Sequence, residues 1–129
     1  MPPQESEAAD KDEPPVFLLT GATGYVGGRL LPLLEQQPVT LRCLARNPDS
    51  LRSHVKDTTQ VVRGDVLDAP SLDEAMLGVH TAYYLVHLLS GAKDFETQER
   101  QAAMNFAGAA RNAGVQRIIY LGGLGDDAD

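Results

Sequence analysis

The chain has 129 residues, 43% of them hydrophobic, which predicts one globular domain and excludes disorder of the whole chain. Its net charge of −7 comes from the ends, because residues 1–15 carry −4 and residues 126–129 carry −3. The segment between them is neutral and has no basic face, so we expect no nucleic-acid partner. No apolar run approaches the ~18 residues of a membrane span, so we expect a cytoplasmic protein with no membrane partner.

The chain is expected to consist of a tail, one folded domain and a short acidic end. Residues 1–15 hold four prolines and five acids with almost nothing to bury, so we predict a disordered acidic tail. The domain should span 16–125, followed by the acidic end at 126–129. Strands are predicted at 16–20, 39–45, 60–63, 81–87 and 117–121. The single cysteine, Cys43, lies in the second strand and is expected to be a small buried hydrophobe.

Helical patterns lie between the predicted strands. The predicted helices are 25–36, 71–77, 94–113 and a short one within 46–59. Pro32 lies inside the first, so we expect that helix to bend. Ser71 and Glu74 have the spacing of a capping box, and Gly78 should end the helix that they begin. Right-handed crossovers then predict an α/β fold, a Rossmann-like doubly wound parallel sheet of strand order 3-2-1-4-5.

Three glycines follow the first strand at three-residue spacing, namely Gly21, Gly24 and Gly27. A strand that turns into a helix within a few residues needs backbone conformations that a Cβ obstructs. A pyrophosphate can lie against such a turn, with its charge held by the free N–H groups and the positive dipole end of the next helix. No Lys-Ser or Lys-Thr pair follows, which argues against a P-loop. The pattern therefore predicts a dinucleotide-binding turn.

Five segments carry a family resemblance by their order and spacing. They are TGATGYVGG at 20–28, RCLARNP at 42–48, VVRGDVLD at 61–68, AYYLVH at 82–87 and AGVQRIIYLGG at 113–123. Together they resemble the atypical short-chain dehydrogenase/reductases of the NAD(P)H-binding kind, which include NmrA-like proteins. Members of this family continue well beyond the fifth strand. The resemblance therefore implies the N-terminal cofactor-binding part of a longer protein, with the sheet truncated after its fifth strand.

The resemblance implies that the glycine turn contacts the pyrophosphate of the cofactor. The residues of this turn are Gly21, Thr23, Gly24, Tyr25, Val26 and Gly27. The main-chain N–H groups of Tyr25 and Val26 would face the phosphates.

Further cofactor contacts are implied at the ends of the third and fourth strands. Asp65 and Val66 resemble the pair that holds the adenine edge, with capping of a turn as the alternative for Asp65. The backbone of three residues would line the nicotinamide ribose, namely Leu85, Val86 and His87. Asn105 matches an asparagine on the fourth helix of related reductases, where it orients backbone or water.

Arg46 ends the second strand, where a cofactor-selecting residue belongs. A carboxylate there would hydrogen-bond the ribose 2′-OH and favour NAD, whereas an arginine can accept the 2′-phosphate of NADP. No acid follows before Asp49. We therefore expect NADP, with NAD as the second choice and a solvated loop arginine as the alternative interpretation of Arg46.

No catalytic residue and no metal site are predicted. A lone histidine among apolar residues is more often packed than catalytic, which argues against His87 as a general base. His54 and His80 have no partners at ligand spacing. In standard relatives a serine or threonine follows the fifth strand and works with a Tyr-x-x-x-Lys pair. Gly122 and Gly123 stand in that place here, and no tyrosine has a lysine four residues later.

Three functions are left open by the sequence. The first is the NADP-preferring domain of an oxidoreductase whose substrate is an unknown small molecule and whose catalytic part lies outside this chain. The second is a non-catalytic NAD(P)-sensing module, as in NmrA-like proteins, which would need a protein partner. The third is a nucleotide-sugar epimerase or dehydratase, which would instead use NAD.

Overall fold

The computed structural model describes residues 13–85 and 95–120. Its elements in chain order are β1 (Val16–Thr20), α1 (Tyr25–Glu35), β2 (Thr40–Ala45), α2 (Pro48–Arg52), β3 (Gln60–Arg63), α3 (Ala69–Ala75), β4 (Val79–Tyr84), α4 (Phe95–Ala113) and β5 (Arg117–Tyr120). The strands are parallel and form one sheet in the order β3-β2-β1-β4-β5. The predicted α/β fold and strand order are therefore confirmed.

The central strand β1 is covered on both faces. Leu18 and Leu19 are both fully buried, although neighbouring side chains of a strand point to opposite faces. Leu18 belongs to a core with Phe106 of α4, whereas Leu19 belongs to a second core with Leu31 of α1 and Cys43. This two-sided burial is expected for parallel strands joined by crossover helices. It also explains why β1 is apolar from Val16 to Leu19 rather than alternating.

The strand order reverses beside β1. The chain first moves outward to β2 and β3 and then returns to place β4 on the other side of β1. Crossovers that leave on opposite faces open a crevice at the carboxyl ends of the strands. Beyond β4, the Leu85 N–H donates to the Thr20 carbonyl at 3.0 Å, so the two strand ends stay paired at this crevice.

The start of α3 differs from its prediction. The helix begins at Ala69, with Asp68 as its N-cap and no side-chain capping bond, so the capping box is wrong. Ser71 lies inside the first turn, where its hydroxyl donates to the Asp68 carbonyl at 2.7 Å and accepts from the Asp65 N–H at 3.0 Å. Pro70 explains the earlier start, because a proline is favoured in the first turn, where its missing N–H is not needed.

Other boundaries differ by a few residues. β4 begins at Val79 and ends at Tyr84, rather than spanning 81–87. α1 continues through Pro32 to Glu35, and the predicted bend at Pro32 stays a prediction. The predicted disorder of residues 1–15 concerns a segment that lies mostly outside the described residues, as does the acidic end.

Two further findings apply to residues 13–85 and 95–120. None of their helices is long and apolar enough to cross a membrane. None of their groups of histidine, cysteine and acidic side chains is arranged to hold a metal ion.

Candidate functional site

The turn after β1 requires glycine at Gly21 for two separate reasons. Its φ of +100° is a backbone conformation that residues with a Cβ rarely adopt. A Cβ at this position would also lie 3.0 Å from the carbonyl carbon and oxygen of Leu85. The turn is closed by a 3.0 Å hydrogen bond from the Gly24 N–H to the Gly21 carbonyl.

Gly27 is required by packing, and its predicted part in the pyrophosphate turn stays a prediction. A Cβ there would overlap the Gly21 carbonyl oxygen, and the residue is buried at the start of α1. Gly27 does not line the cavity in front of the turn. The structure therefore places it behind the turn, where its missing side chain lets α1 pack directly onto the backbone at Gly21.

The first turn of α1 leaves its N–H groups free for a ligand. Gly24 is the N-cap and has no side chain to accept a hydrogen bond, and the first turn contains no acidic residue. The N–H groups of Tyr25 and Val26 come too early in the helix to have partners within it. An anion in front of Gly24 would meet these donors and the positive end of an 11-residue helix.

A cavity of about 610 Å³ opens in front of this turn, at the carboxyl ends of β1, β2 and β3. Nine of the twelve predicted cofactor-binding residues line it: Gly21, Thr23, Gly24, Tyr25, Val26, Arg46, Asp65, Val66 and Leu85. Val86 and His87 lie outside the described residues. The predictions for Gly122 and Gly123 also fall there.

Eight lining residues were not predicted from the sequence: Thr20, Ala22, Leu44, Ala45, Asn47, Ser50, Gly64 and Leu67. Most of them could have been found as direct neighbours of the predicted strand ends. Ser50 could not have been found in this way, because it lies in α2, and the path of that helix brings it to the cavity. Its hydroxyl donates to the Asn47 carbonyl at 2.8 Å.

Arg46 and Asp65 are the charged side chains among the described residues of the cavity wall. Arg46 is exposed at the end of β2. Asp49, the first acid after it, does not line the cavity and forms an ion pair with Arg52 at 3.7 Å. The end of β2 therefore presents a positive charge to the cavity.

The segment after β3 is held close to β2. Gly64 is buried, its N–H donates to the Ala45 carbonyl at 3.0 Å, and a Cβ on it would overlap the Leu44 side chain. Asp65 Oδ1 accepts from the Leu67 N–H at 2.9 Å, so Asp65 does cap a turn. Its second carboxylate oxygen has no hydrogen bond to the described residues. The turn contact and a ligand contact are therefore compatible.

Two buried side chains with raised pKa values, Cys43 and Tyr84, lie outside the cavity wall. Cys43 is fully buried, and burial, followed by the Glu35 carboxylate, raises the pKa of its thiol to about 12. Burial raises the pKa of Tyr84 to about 12 as well, with smaller effects from Glu99 and Tyr120. Both groups stay protonated near neutral pH. The expectation that Cys43 is a packed hydrophobe is confirmed by its position in the core of α1 and β2.

Known proteins share this arrangement. A family model described as NAD(P)H-binding matches residues 21–129. The 3-beta-hydroxysteroid dehydrogenase of Mycolicibacterium neoaurum is 32% identical over 113 residues, which are 80% of this chain and 30% of that protein. Cinnamoyl-CoA reductase 1 of Oryza sativa subsp. japonica is 27% identical over 128 residues, which are 94% of this chain and 38% of that protein.

A solved structure of a reductase is also similar to this chain. The Citrobacter sp. triphenylmethane reductase complexed with NADP(H) matches with a TM-score of 0.67 and 30% identity, over 81% of this chain and 36% of that one. This chain spans about a third of the length of these three proteins. From its fold, its glycine turn and the family match, the chain belongs to the NAD(P)H-binding family and is an NAD(P)-binding domain similar to those of short-chain dehydrogenase/reductase-like oxidoreductases.

Proposed function

We propose that the cavity in front of the glycine turn binds NADP(H), and that the domain serves an oxidoreductase. The observation that carries this proposal is the close packing of the glycine turn, which follows β1, against Leu85, which follows β4. Gly21 leaves no room for a side chain against Leu85, and the uncapped start of α1 lies beside it. The pyrophosphate would lie against Gly24, Tyr25 and Val26, whose backbone donors have no competing partner in the first helical turn.

The two ends of the dinucleotide are assigned to opposite sides of this turn. Asp65 and Val66 would hold the adenine edge, because they line the cavity at the end of β3. The backbone of Leu85, Val86 and His87 would line the nicotinamide ribose at the end of β4. The bound cofactor supplies a hydride, while these residues orient it.

A preference for NADP over NAD is supported by Arg46. It is the positive side chain in the described cavity wall, and it lies where the adenosine ribose would meet the end of β2. Asp49 is engaged by Arg52 and does not line the cavity. A ribose 2′-phosphate would therefore find a guanidinium partner rather than a carboxylate.

The oxidoreductase is favoured over the two other functions by the names of the relatives. The two curated relatives are a dehydrogenase and a reductase, and the NADP(H) complex is of a reductase. A sensing module or a nucleotide-sugar epimerase has no such support. Because those proteins are about three times as long, we assign the choice of a small-molecule substrate and the proton donor to residues outside the described cavity. The cytoplasmic location and a protein partner stay predictions.

Replacement of Arg46 tests the cofactor preference. Nicotinamide fluorescence would be followed while NADPH or NADH is added to the wild type, Arg46→Ala and the control Arg111→Ala. Loss of a charge-assisted contact should weaken NADPH about tenfold to a hundredfold and leave NADH nearly unchanged. Arg111→Ala removes an exposed arginine of α4 that lies outside the cavity wall, so it should change neither affinity. Equal weakening of both nucleotides by Arg46→Ala would contradict the 2′-phosphate role, and a wild type that binds neither would overturn the proposed function.

A further inference from the structure

The segment Gly64 to Asp68, here called the β3 loop, is held by its own hydrogen bonds. The Asp65 carbonyl accepts from the Asp68 N–H at 2.8 Å, and the Leu67 N–H donates to Asp65 Oδ1 at 2.9 Å. The first bond holds the carbonyl of the Asp65–Val66 peptide, and the second holds the N–H of the Val66–Leu67 peptide. The groups of the β3 loop without a hydrogen bond to the described residues include the Val66 N–H and the second carboxylate oxygen of Asp65.

Helix α4 is hydrogen-bonded to the same loop by the side-chain amide of Asn105. Asn105 Nδ2 donates to the Val66 carbonyl at 2.9 Å, from a position 39 residues later in the chain. The peptide between Val66 and Leu67 is thereby held at both of its polar groups, the carbonyl by Asn105 and the N–H by Asp65. Because a peptide group is planar, it cannot turn without breaking both bonds.

The orientation of the Asn105 amide is selected by its neighbour one turn earlier. Gln101 Nε2 donates to Asn105 Oδ1 at 2.8 Å. An amide carries one acceptor side and one donor side, and only the donor side can bond a carbonyl. With its oxygen engaged by Gln101, Asn105 is left with its nitrogen facing Val66. Gln101 is exposed and does not line the cavity, so it acts only through Asn105.

We propose that Asn105, oriented by Gln101, is a positioning residue for recognition of the adenine base. The inference rests on the proposed function. The free Val66 N–H is a donor and the free Asp65 oxygen is an acceptor, and they belong to adjacent residues of the cavity wall. Adenine presents the complementary pair on one edge, with N1 as acceptor and the 6-amino group as donor. Holding the β3 loop from α4 keeps this donor and acceptor at a fixed spacing.

The test uses a cofactor analogue with the opposite edge. In the hypoxanthine analogue of NADPH, N1 carries a hydrogen and a carbonyl replaces the 6-amino group, so both hydrogen bonds are reversed. The purified wild type should bind NADPH at least about tenfold more tightly than this analogue, as expected for two hydrogen bonds. Dissociation constants would be measured from nicotinamide fluorescence, and the readout is the ratio of the two constants.

Gln101→Glu is the sharpest variant. The Glu carboxylate can only accept a hydrogen bond, so it would bond to Asn105 Nδ2 and rotate the amide. Asn105 Oδ1 would then face the Val66 carbonyl oxygen, and the two acceptors would repel each other. The ratio should fall toward one, mainly through weaker NADPH binding, and Asn105→Leu should do the same. Asn112→Asp is the matched control, because it adds one negative charge to an exposed position of α4 and should leave the ratio unchanged. If Asn105→Leu fails to fold, Gln101→Glu decides alone.

The outcomes separate the two proposals. A wild type that discriminates between the nucleotides, together with an undiminished ratio in both variants, would overturn the positioning role and leave the proposed function intact. A wild type that binds neither nucleotide would overturn the proposed function and this inference with it. A drop of the ratio confined to the two variants supports the role of Asn105.

Discussion

Gly21 and Gly27 belong to one motif but are required for different physical reasons. Gly21 has a φ of +100° and touches the backbone of Leu85, so both its conformation and its surroundings exclude a side chain. Gly27 is an ordinary helical residue whose Cβ would overlap the Gly21 carbonyl. The first glycine shapes the cavity wall, and the second holds α1 against the turn from behind.

At the residue scale, Cys43 predicts a dependence of stability on alkaline pH. Its thiol pKa rises from 9.0 to about 12 on folding because the side chain is buried. The unfolded chain therefore loses this proton first, and the stabilisation present below pH 9 is lost as the pH approaches 12. The free energy of unfolding should fall by up to about 1.4 kcal/mol per pH unit from this group.

Denaturant unfolding at several values between pH 7 and 10.5 would measure this effect. Cys43→Ala lowers stability at every pH because it removes buried atoms, but it should lose less than the wild type as the pH rises. Tyr84, whose pKa is also raised, is retained in both proteins and contributes equally. Parallel pH curves for the two proteins would contradict the assignment.

At the scale of elements, Arg42 of β2 joins two strands and a helix. Its guanidinium donates to the Ala75 and Leu77 carbonyls at 2.6 and 2.8 Å, and to Gln60 Oε1 of β3 at 2.8 Å. The carbonyls at the carboxyl end of α3 have no partners within the helix and carry its negative dipole end. A partly buried cation is therefore well placed to stabilise this helix end.

Arg42→Met should lower the free energy of unfolding by about 1–3 kcal/mol, since it leaves these carbonyls without their donor while keeping an apolar stem. The control is Arg52→Met, which removes an exposed arginine in an ion pair with Asp49 and should cost less than about 1 kcal/mol. Urea unfolding of the three proteins would measure the difference. Equal losses in the two variants would show that Arg42 is not a specific helix cap.

At the scale of the whole molecule, ligand binding should stabilise the fold, because the cavity is formed by residues from three strand ends and α1. NADPH at a hundred times its dissociation constant should raise the free energy of unfolding by about 2.7 kcal/mol. Thr23→Glu, which adds a negative charge to an exposed residue of the wall, should remove most of this gain at the same NADPH concentration.

Thr58→Glu is the matched control, because it makes the same exchange at an exposed position outside the cavity wall. Thermal unfolding with and without NADPH would be compared for the three proteins. The two variants should have similar stability without ligand. A full NADPH-dependent shift in Thr23→Glu would place the phosphates elsewhere.

The sequence by itself determined the strand order, the glycine turn and most of the cavity wall. These depend on adjacent residues, because apolar runs define strands and the backbone conformation at Gly21 excludes most other residues. Only the tertiary structure decided that Gly27 lies behind the turn, that Ser50 lines the cavity and that Asn105 holds Val66. Each of these relations depends on how segments that are far apart in the chain pack against one another. The local sequence of either segment does not determine that packing.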